Sequence, residues 1–123
     1  CIFWNNGNDL IGADGVITDV SYCDIEDGDN NGTNGCISID PLFVDTTYYH
    51  LQSQKGNYVG GYFSGGSWTP SAQNSHCIDV GNPASDFTLE PDYNGDRINL
   101  GAYGNTPVAS RTGESRGGVI LFY

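Results

Sequence analysis

The sequence predicts an all-β domain whose short strands stack as a solenoid, and three observations carry that prediction. The 123 residues include 18 glycines, and no window has the 3.6-residue apolar period of a stable helix. Short apolar runs are separated by Gly, Asn, Asp and Pro, which is typical of strands joined by tight turns. One strand-like segment also recurs weakly along the chain, which indicates stacked copies.

The repeat comprises residues 1–7 and 23–28, and the alignment of Cys1 with Cys23 gives an offset of 22 residues. Each copy is an apolar alternating strand that ends in an Asn/Asp/Gly turn. One copy cannot bury its own face, so the copies must stack. Stacking brings Cys1 and Cys23 within disulfide range. We expect them to stack as small core residues, because in-register parallel strands do not readily give the disulfide dihedral.

The remaining segments are predicted in chain order. Residues 37–44 come too early for a third full copy. The aromatic and Gly/Ser-rich residues 48–75 are expected to form a hairpin or long loop that covers the coil, since an open solenoid end exposes unpaired backbone groups. Residues 75–83 and 94–104 are expected to be short strands joined by tight turns.

The cysteine content limits the type of site. No C-x-x-C pair is present, which argues against zinc. The sequence leaves the disulfide pairing open among Cys1, Cys23, Cys36 and Cys77.

The charge balance limits the partners. Fifteen acidic residues against four basic ones give a net charge of −11, which disfavours nucleic acid. A solvated acidic surface is favoured over cation binding. No apolar run is long enough to span a bilayer, so no transmembrane segment is expected. The absence of an initiator Met predicts a processed product or a fragment of a longer protein.

We divide the chain into residues 1–110, the terminal coil turns and cap, and residues 111–123, a linker and a final strand. That strand is one unbroken β-prone apolar run: Val119, Ile120, Leu121, Phe122 and Tyr123. It must be buried in this subunit or in another one. We expect it to add to a neighbour's sheet by β-augmentation.

Five sequence words also resemble a known family. They occupy residues 23–26 (CDIE), 40–45 (DPLFVD), 49–53 (YHLQS), 77–85 (CIDVGNPAS) and 94–104 (NGDRINLGAYG). Together they resemble the C-terminal end of secreted right-handed parallel β-helix proteins, the pectate-lyase-like family of bacterial and archaeal surface proteins. The resemblance covers about residues 1–110. It implies a right-handed β-helix in an extracellular setting, often with an attached anchor or linker, and implies no reaction.

Two acidic segments are candidates for calcium, the one metal or cofactor that the sequence offers. Asp27, Asp29 and Asn31 match the opening of a calcium loop. Position 12 of that loop is Ser38 instead of a bidentate Glu, so an Asx-rich turn is favoured.

The second calcium candidate consists of Asp92, Asn94 and Asp96. Arg97 follows directly, and we expect it to pair with one of these carboxylates or with Glu90. The cluster is therefore interpreted first as part of the cap.

Exposed aromatic rings are the remaining functional candidates. Tyr62, Phe63 and Trp68 could stack on a pyranose, although covering the core is the favoured role. His50 lacks a nucleophile nearby in sequence and is expected to be a satisfied strand residue.

The sequence therefore favours an extracellular, non-enzymatic structural or assembly module. Its expected partners are copies of itself or the rest of a longer surface protein. A carbohydrate-binding module, with a polysaccharide partner, is the alternative. A polysaccharide lyase or hydrolase is less favoured, because such enzymes work from a groove along several central turns.

Overall fold

The computed structural model describes residues 1–5, 20–26, 28, 31–91 and 94–112. Within these ranges the protein is all-β, as predicted, with four short strands and no helix. The strands are β1 (Ile2–Phe3), β2 (Asp24–Ile25), β3 (Asn57–Val59) and β4 (Ser67–Thr69). A search of the same ranges finds no helix that could cross a membrane.

The two copies of the repeat pair side by side. β1 and β2 are parallel, and Ile2 lies opposite Asp24. The backbone N–H of Asp24 donates to the carbonyl of Cys1 at 2.9 Å. The offset of 22 residues predicted from the two cysteines is therefore confirmed for this pair of strands.

A third parallel segment joins the stack on the other side of β2. Ile37 forms a parallel bridge with Asp24, and its N–H donates to the carbonyl of Cys23 at 2.9 Å. The expectation that this segment comes too early to join the stack was wrong. The chain returns after only 13 residues, because Gly28 and Gly32 have positive φ angles of 84° and 79° and tighten the turn.

The predicted hairpin is present in the aromatic segment. β3 and β4 are antiparallel, with Tyr58 opposite Trp68. The Tyr58 hydroxyl accepts a hydrogen bond from the N–H of Gly66 at 2.9 Å. A Cβ atom on Gly66 would lie 2.4 Å from the carbonyl oxygen of Val59, so the loop between the strands requires glycine there.

The two later segments differ from the prediction. Residues 75–83 and 94–104 form turns and bends, not strands. They still lie side by side, and the N–H of Gly81 donates to the carbonyl of Ile98 at 2.9 Å. Asp79 has a φ of 63°, which is incompatible with an extended strand. The Gly, Asn and Asp residues therefore control the local backbone more than the apolar residues between them.

Apolar side chains pack on both faces of the stack. Phe3 packs on one cluster and Ile2 on the other. The buried members of the first cluster are Val20, Cys23, Ile25 and Cys36, and those of the second are Leu51, Cys77, Ile78 and Leu100.

The four cysteines are free thiols, and three are buried. Cys1 and Cys23 are therefore not bridged, as expected. Cys1 is nevertheless exposed and is not a core residue.

Candidate functional site

A cavity of about 660 Å³ lies where the first strand of the stack meets the cap. Its walls are mainly apolar and come from three separate segments. Residues 1–4 form the first wall, Phe43, Tyr49 and Leu51 contribute to the second, and residues 99–103 form the third. The cavity therefore depends on the long-range contact between β1 and the cap.

β1 has an unpaired edge beside this cavity. In a parallel ladder, consecutive residues direct their backbone groups to opposite sides. The carbonyls of Cys1 and Phe3 accept bonds from β2, so the N–H and C=O of Ile2 point away from it. No described residue forms a hydrogen bond with those two groups of Ile2. The cavity is thus bordered by backbone groups that could pair with an added strand.

The aromatic residues singled out in the sequence divide into two places. Tyr62 and Phe63 lie together in the hairpin loop and are 55% and 60% exposed. Phe63 contacts Tyr103, a residue of the cavity wall, with ring centroids 5.3 Å apart. Tyr62 packs edge-on against Tyr48 at 4.7 Å. These two rings form an exposed aromatic surface near the cavity.

Trp68 belongs to a different contact. It lies on β4 and packs edge-on against Tyr58 at 5.8 Å. The guanidinium of Arg111 lies 5.1 Å from the centroid of the indole ring. The described ring contacts do not connect Trp68 to Tyr62 or Phe63, so the predicted three-residue platform contains two residues.

His50 fixes the loop that carries the exposed aromatic surface. It is 1% exposed, and its Nε2 lies 2.8 and 3.0 Å from the carbonyl oxygens of Gly61 and Tyr62. Nε2 must therefore carry the proton and donate to them. The ring stacks on Tyr103 at 3.7 Å, and burial lowers the pKa of His50. Its role is structural, not that of a base.

A buried carboxyl and thiol meet in the second apolar cluster. Sγ of Cys77 donates to Oδ2 of Asp24 at 3.0 Å, and Oδ1 of Asp24 accepts from the N–H of Ile39 at 3.0 Å. Burial raises the pKa of both Asp24 and Cys77. A protonated, buried thiol is a poor nucleophile. Sequence reasoning missed this pair because the two residues are 53 positions apart.

The first calcium candidate lies mostly outside the described residues. Asp27 and Asp29 are not described, and neither is Asp92 of the second candidate. Asn31 is exposed, and its N–H donates to the carbonyl of Gly28 at 3.1 Å, as in a turn. Over the part of the chain that the structure describes, no group of three or more His, Cys, Asp or Glu side chains could hold a metal ion.

The second calcium candidate forms a turn in its described part. Oδ1 of Asn94 accepts from the N–H of Asp96 at 3.0 Å, which is an Asx turn. The expected pairing of Arg97 with a carboxylate of Glu90 was wrong. Arg97 instead donates through Nε to the carbonyl of Gly81 at 2.6 Å.

Glu90 serves as a cap for buried backbone. Its Oε2 accepts from the N–H groups of Asn99 and Asn105, each at 2.9 Å. Glu90 is 4% exposed, and burial raises its pKa. The carboxyl satisfies the turn backbone, which is why Arg97 is not its partner.

The proposed assembly strand, Val119–Tyr123, lies outside the described residues. The structure therefore supplies the cavity and the free edge of β1, and the sequence supplies the apolar segment.

Comparison with known proteins adds no assignment. No protein-family model, no curated protein and no solved structure matches this chain. The resemblance to secreted β-helix proteins remains an expectation drawn from the five sequence words.

Proposed function

We propose that this chain is an extracellular, non-enzymatic structural module, consisting of the terminal turns and cap of a parallel β-helix surface protein. The observation that carries the proposal is the parallel stack of β1, β2 and Ile37. Such a stack has a β-helix arrangement, and antiparallel β3 and β4 supply the cap.

The module assembles by strand addition. An unpaired strand edge is a template for another chain, and β1 has such an edge beside an apolar cavity. Val119–Tyr123 is an uncharged, β-prone segment suited to that role. Contacts that join one part of a molecule to a different part of the next do not close when the rotation does not close, and then produce a filament.

Deletion of residues 117–123 tests this function. The full chain should form oligomers or filaments in analytical ultracentrifugation and electron microscopy, and the shortened chain should remain monomeric. A control variant keeps residues 117–123 and replaces residues 113–116 with a Gly/Ser linker of equal length. It should assemble like the parent, whereas equal assembly of the deletion variant would contradict the proposal.

Carbohydrate binding is the second candidate, and the exposed surface of Tyr62 and Phe63 favours it. Flat rings with more than half of their surface exposed can stack on a sugar. The variant Phe63→Ala should lose retention on a glycan array or polysaccharide column while near-UV circular dichroism stays unchanged. Trp68→Ala is the matched control, because Trp68 lies outside that surface. Equal retention of Phe63→Ala and the parent would exclude this role for the surface.

A further inference from the structure

We propose that the strand-receiving site is the cavity beside β1 and that its occupant is Val119–Tyr123 of a second copy of this chain. This inference rests on the proposed function and deepens it, because it identifies where the added strand binds. The structure contributes the site, and the sequence contributes the occupant.

The backbone of β1 supplies the directional contacts. The N–H and C=O of Ile2 point away from β2 and have no partner among the described residues. An added strand would satisfy this donor and this acceptor together, as in any β-sheet edge. β2 cannot serve in this way, because β1 and Ile37 already bond it on both sides.

The cavity matches the apolar character of the segment. Phe43, Leu51 and Leu100 contribute apolar surface to its walls. Alternate side chains of a strand face opposite sides. The segment is apolar at every position, so it presents an apolar set to the cavity in either orientation.

The path of the chain favours a second copy over the same copy. Ser110 lies on the cavity wall, but the next two residues lead to other parts of the molecule. The N–H of Arg111 donates to the carbonyl of Gly56 at 3.0 Å, and Oγ1 of Thr112 donates to Oδ2 of Asp79 at 2.8 Å. Neither Gly56 nor Asp79 lines the cavity. The chain is thus fastened away from the cavity before the final segment begins.

Cys1 provides a built-in reporter. It is an exposed free thiol and also lines the cavity. Full-length variants with Val119→Cys or Tyr123→Cys can therefore be oxidised with glutathione disulfide. At least one of them should form a disulfide between copies, visible as a ladder on a non-reducing gel. Two positions are tested because the added strand could run in either direction.

Matched controls define the site. Ser115→Cys places the thiol in the linker and should cross-link less. Adding Cys1→Ser to the reactive variant should remove the ladder. Ala102→Trp fills the cavity from an exposed wall position and should weaken assembly by about tenfold or more, because overfilling an apolar site costs at least that much. Ala84→Trp, which is exposed outside the cavity, should assemble like the parent.

Each result distinguishes this inference from the proposed function. A cross-link within one copy would overturn the inference, since the occupant would then be the same chain. If deletion of residues 117–123 abolishes assembly but Cys1 forms no cross-link and Ala102→Trp has no effect, the module assembles through another surface. Assembly that survives the deletion contradicts the proposed function itself. Near-UV circular dichroism of each variant verifies that its fold is retained.

Discussion

At the residue scale, buried polar groups hold the turns of this molecule in place. Oε2 of Glu90 accepts from two backbone N–H groups, and Nε2 of His50 donates to two carbonyls. Nδ1 of His50 is buried and has no hydrogen-bond partner. A second proton would therefore charge a ring that no described group can stabilise at that nitrogen.

The stability of the fold should consequently fall in mild acid. Burial depresses the folded-state pKa of His50 below its ordinary value of 6.5. Below that pH the unfolded chain binds a proton that the folded chain does not, so the free energy of unfolding decreases, by at most about 1.4 kcal/mol per pH unit. The loss is complete below the folded-state pKa. Urea unfolding at intervals from pH 7.5 to 5 measures this slope.

Two variants identify the group responsible. His50→Phe keeps an aromatic ring against Tyr103 but leaves two carbonyls without a donor. It should be about 1–3 kcal/mol less stable at pH 7.5, and its slope should be smaller by the His50 contribution. His76→Gln removes an exposed histidine and should keep the parental slope. An unchanged slope in His50→Phe would show that another group titrates. Asp24 and Glu90 act in the opposite direction, since burial raises the pKa of each.

At the element scale, the hairpin depends on close backbone packing at Gly66. A Cβ atom there would lie 2.4 Å from the carbonyl oxygen of Val59 and 2.9 Å from the amide nitrogen of Gly61. Gly66→Ala should destabilise the fold by about 1–3 kcal/mol, because backbone atoms cannot move aside as a flexible side chain can. Urea unfolding monitored by tryptophan fluorescence, to which Trp68 on β4 contributes, measures the loss.

Gly65 provides the neighbouring control. It has a φ of 85° and open space around its Cα, and asparagine tolerates that backbone region better than most residues. Gly65→Asn should therefore change stability much less than Gly66→Ala. Equal losses in the two variants would point to a general loop effect instead of the contact with Val59.

The sequence allowed the local elements to be predicted better than the long-range contacts. The offset between Cys1 and Cys23 was recoverable because both begin apolar alternating words that end in turns. The third parallel segment at Ile37 was missed because glycines with positive φ shorten its connection. Strands were wrongly expected around Asp79, where the left-handed backbone favours a turn. Expectations at this scale failed where Gly, Asn and Asp side chains and φ angles outweighed apolar alternation.

The candidate site was only partly accessible to sequence reasoning. Tyr62 and Phe63 were identified as exposed aromatics, but their separation from Trp68 depends on the hairpin register. The cavity joins β1 to residues 99–103 across almost the whole chain. Such contacts have no local signal in the sequence. The same reason explains why the buried contact between Asp24 and Cys77 was not foreseen.

At the scale of the whole molecule, the net charge of −11 opposes association of identical copies. Salt screens charges beyond about 10 Å at 0.1 M ionic strength. Assembly through an uncharged segment should therefore strengthen between about 50 and 500 mM NaCl, seen as a lower protein concentration at half-assembly in light scattering. Weaker assembly at high salt would indicate that ion pairs, not apolar contacts, join the copies.

Calcium at matched ionic strength is the control for this experiment. If the carboxylates act as diffuse charge, calcium and magnesium should have similar effects. A response to calcium alone, reversed by a chelator, would instead favour a specific site at Asp27, Asp29 and Asn31 or at Asp92, Asn94 and Asp96.

The unequal bonding of the first two strands gives any stack of these molecules a direction. β2 is bonded on both sides, whereas β1 is bonded on one. A growing fibre would therefore have one end that offers an empty cavity and one that offers a free strand. A copy without residues 117–123 can accept a strand but cannot donate one, so it should act as a chain terminator. Mean fibre length would then follow the ratio of intact to shortened copies.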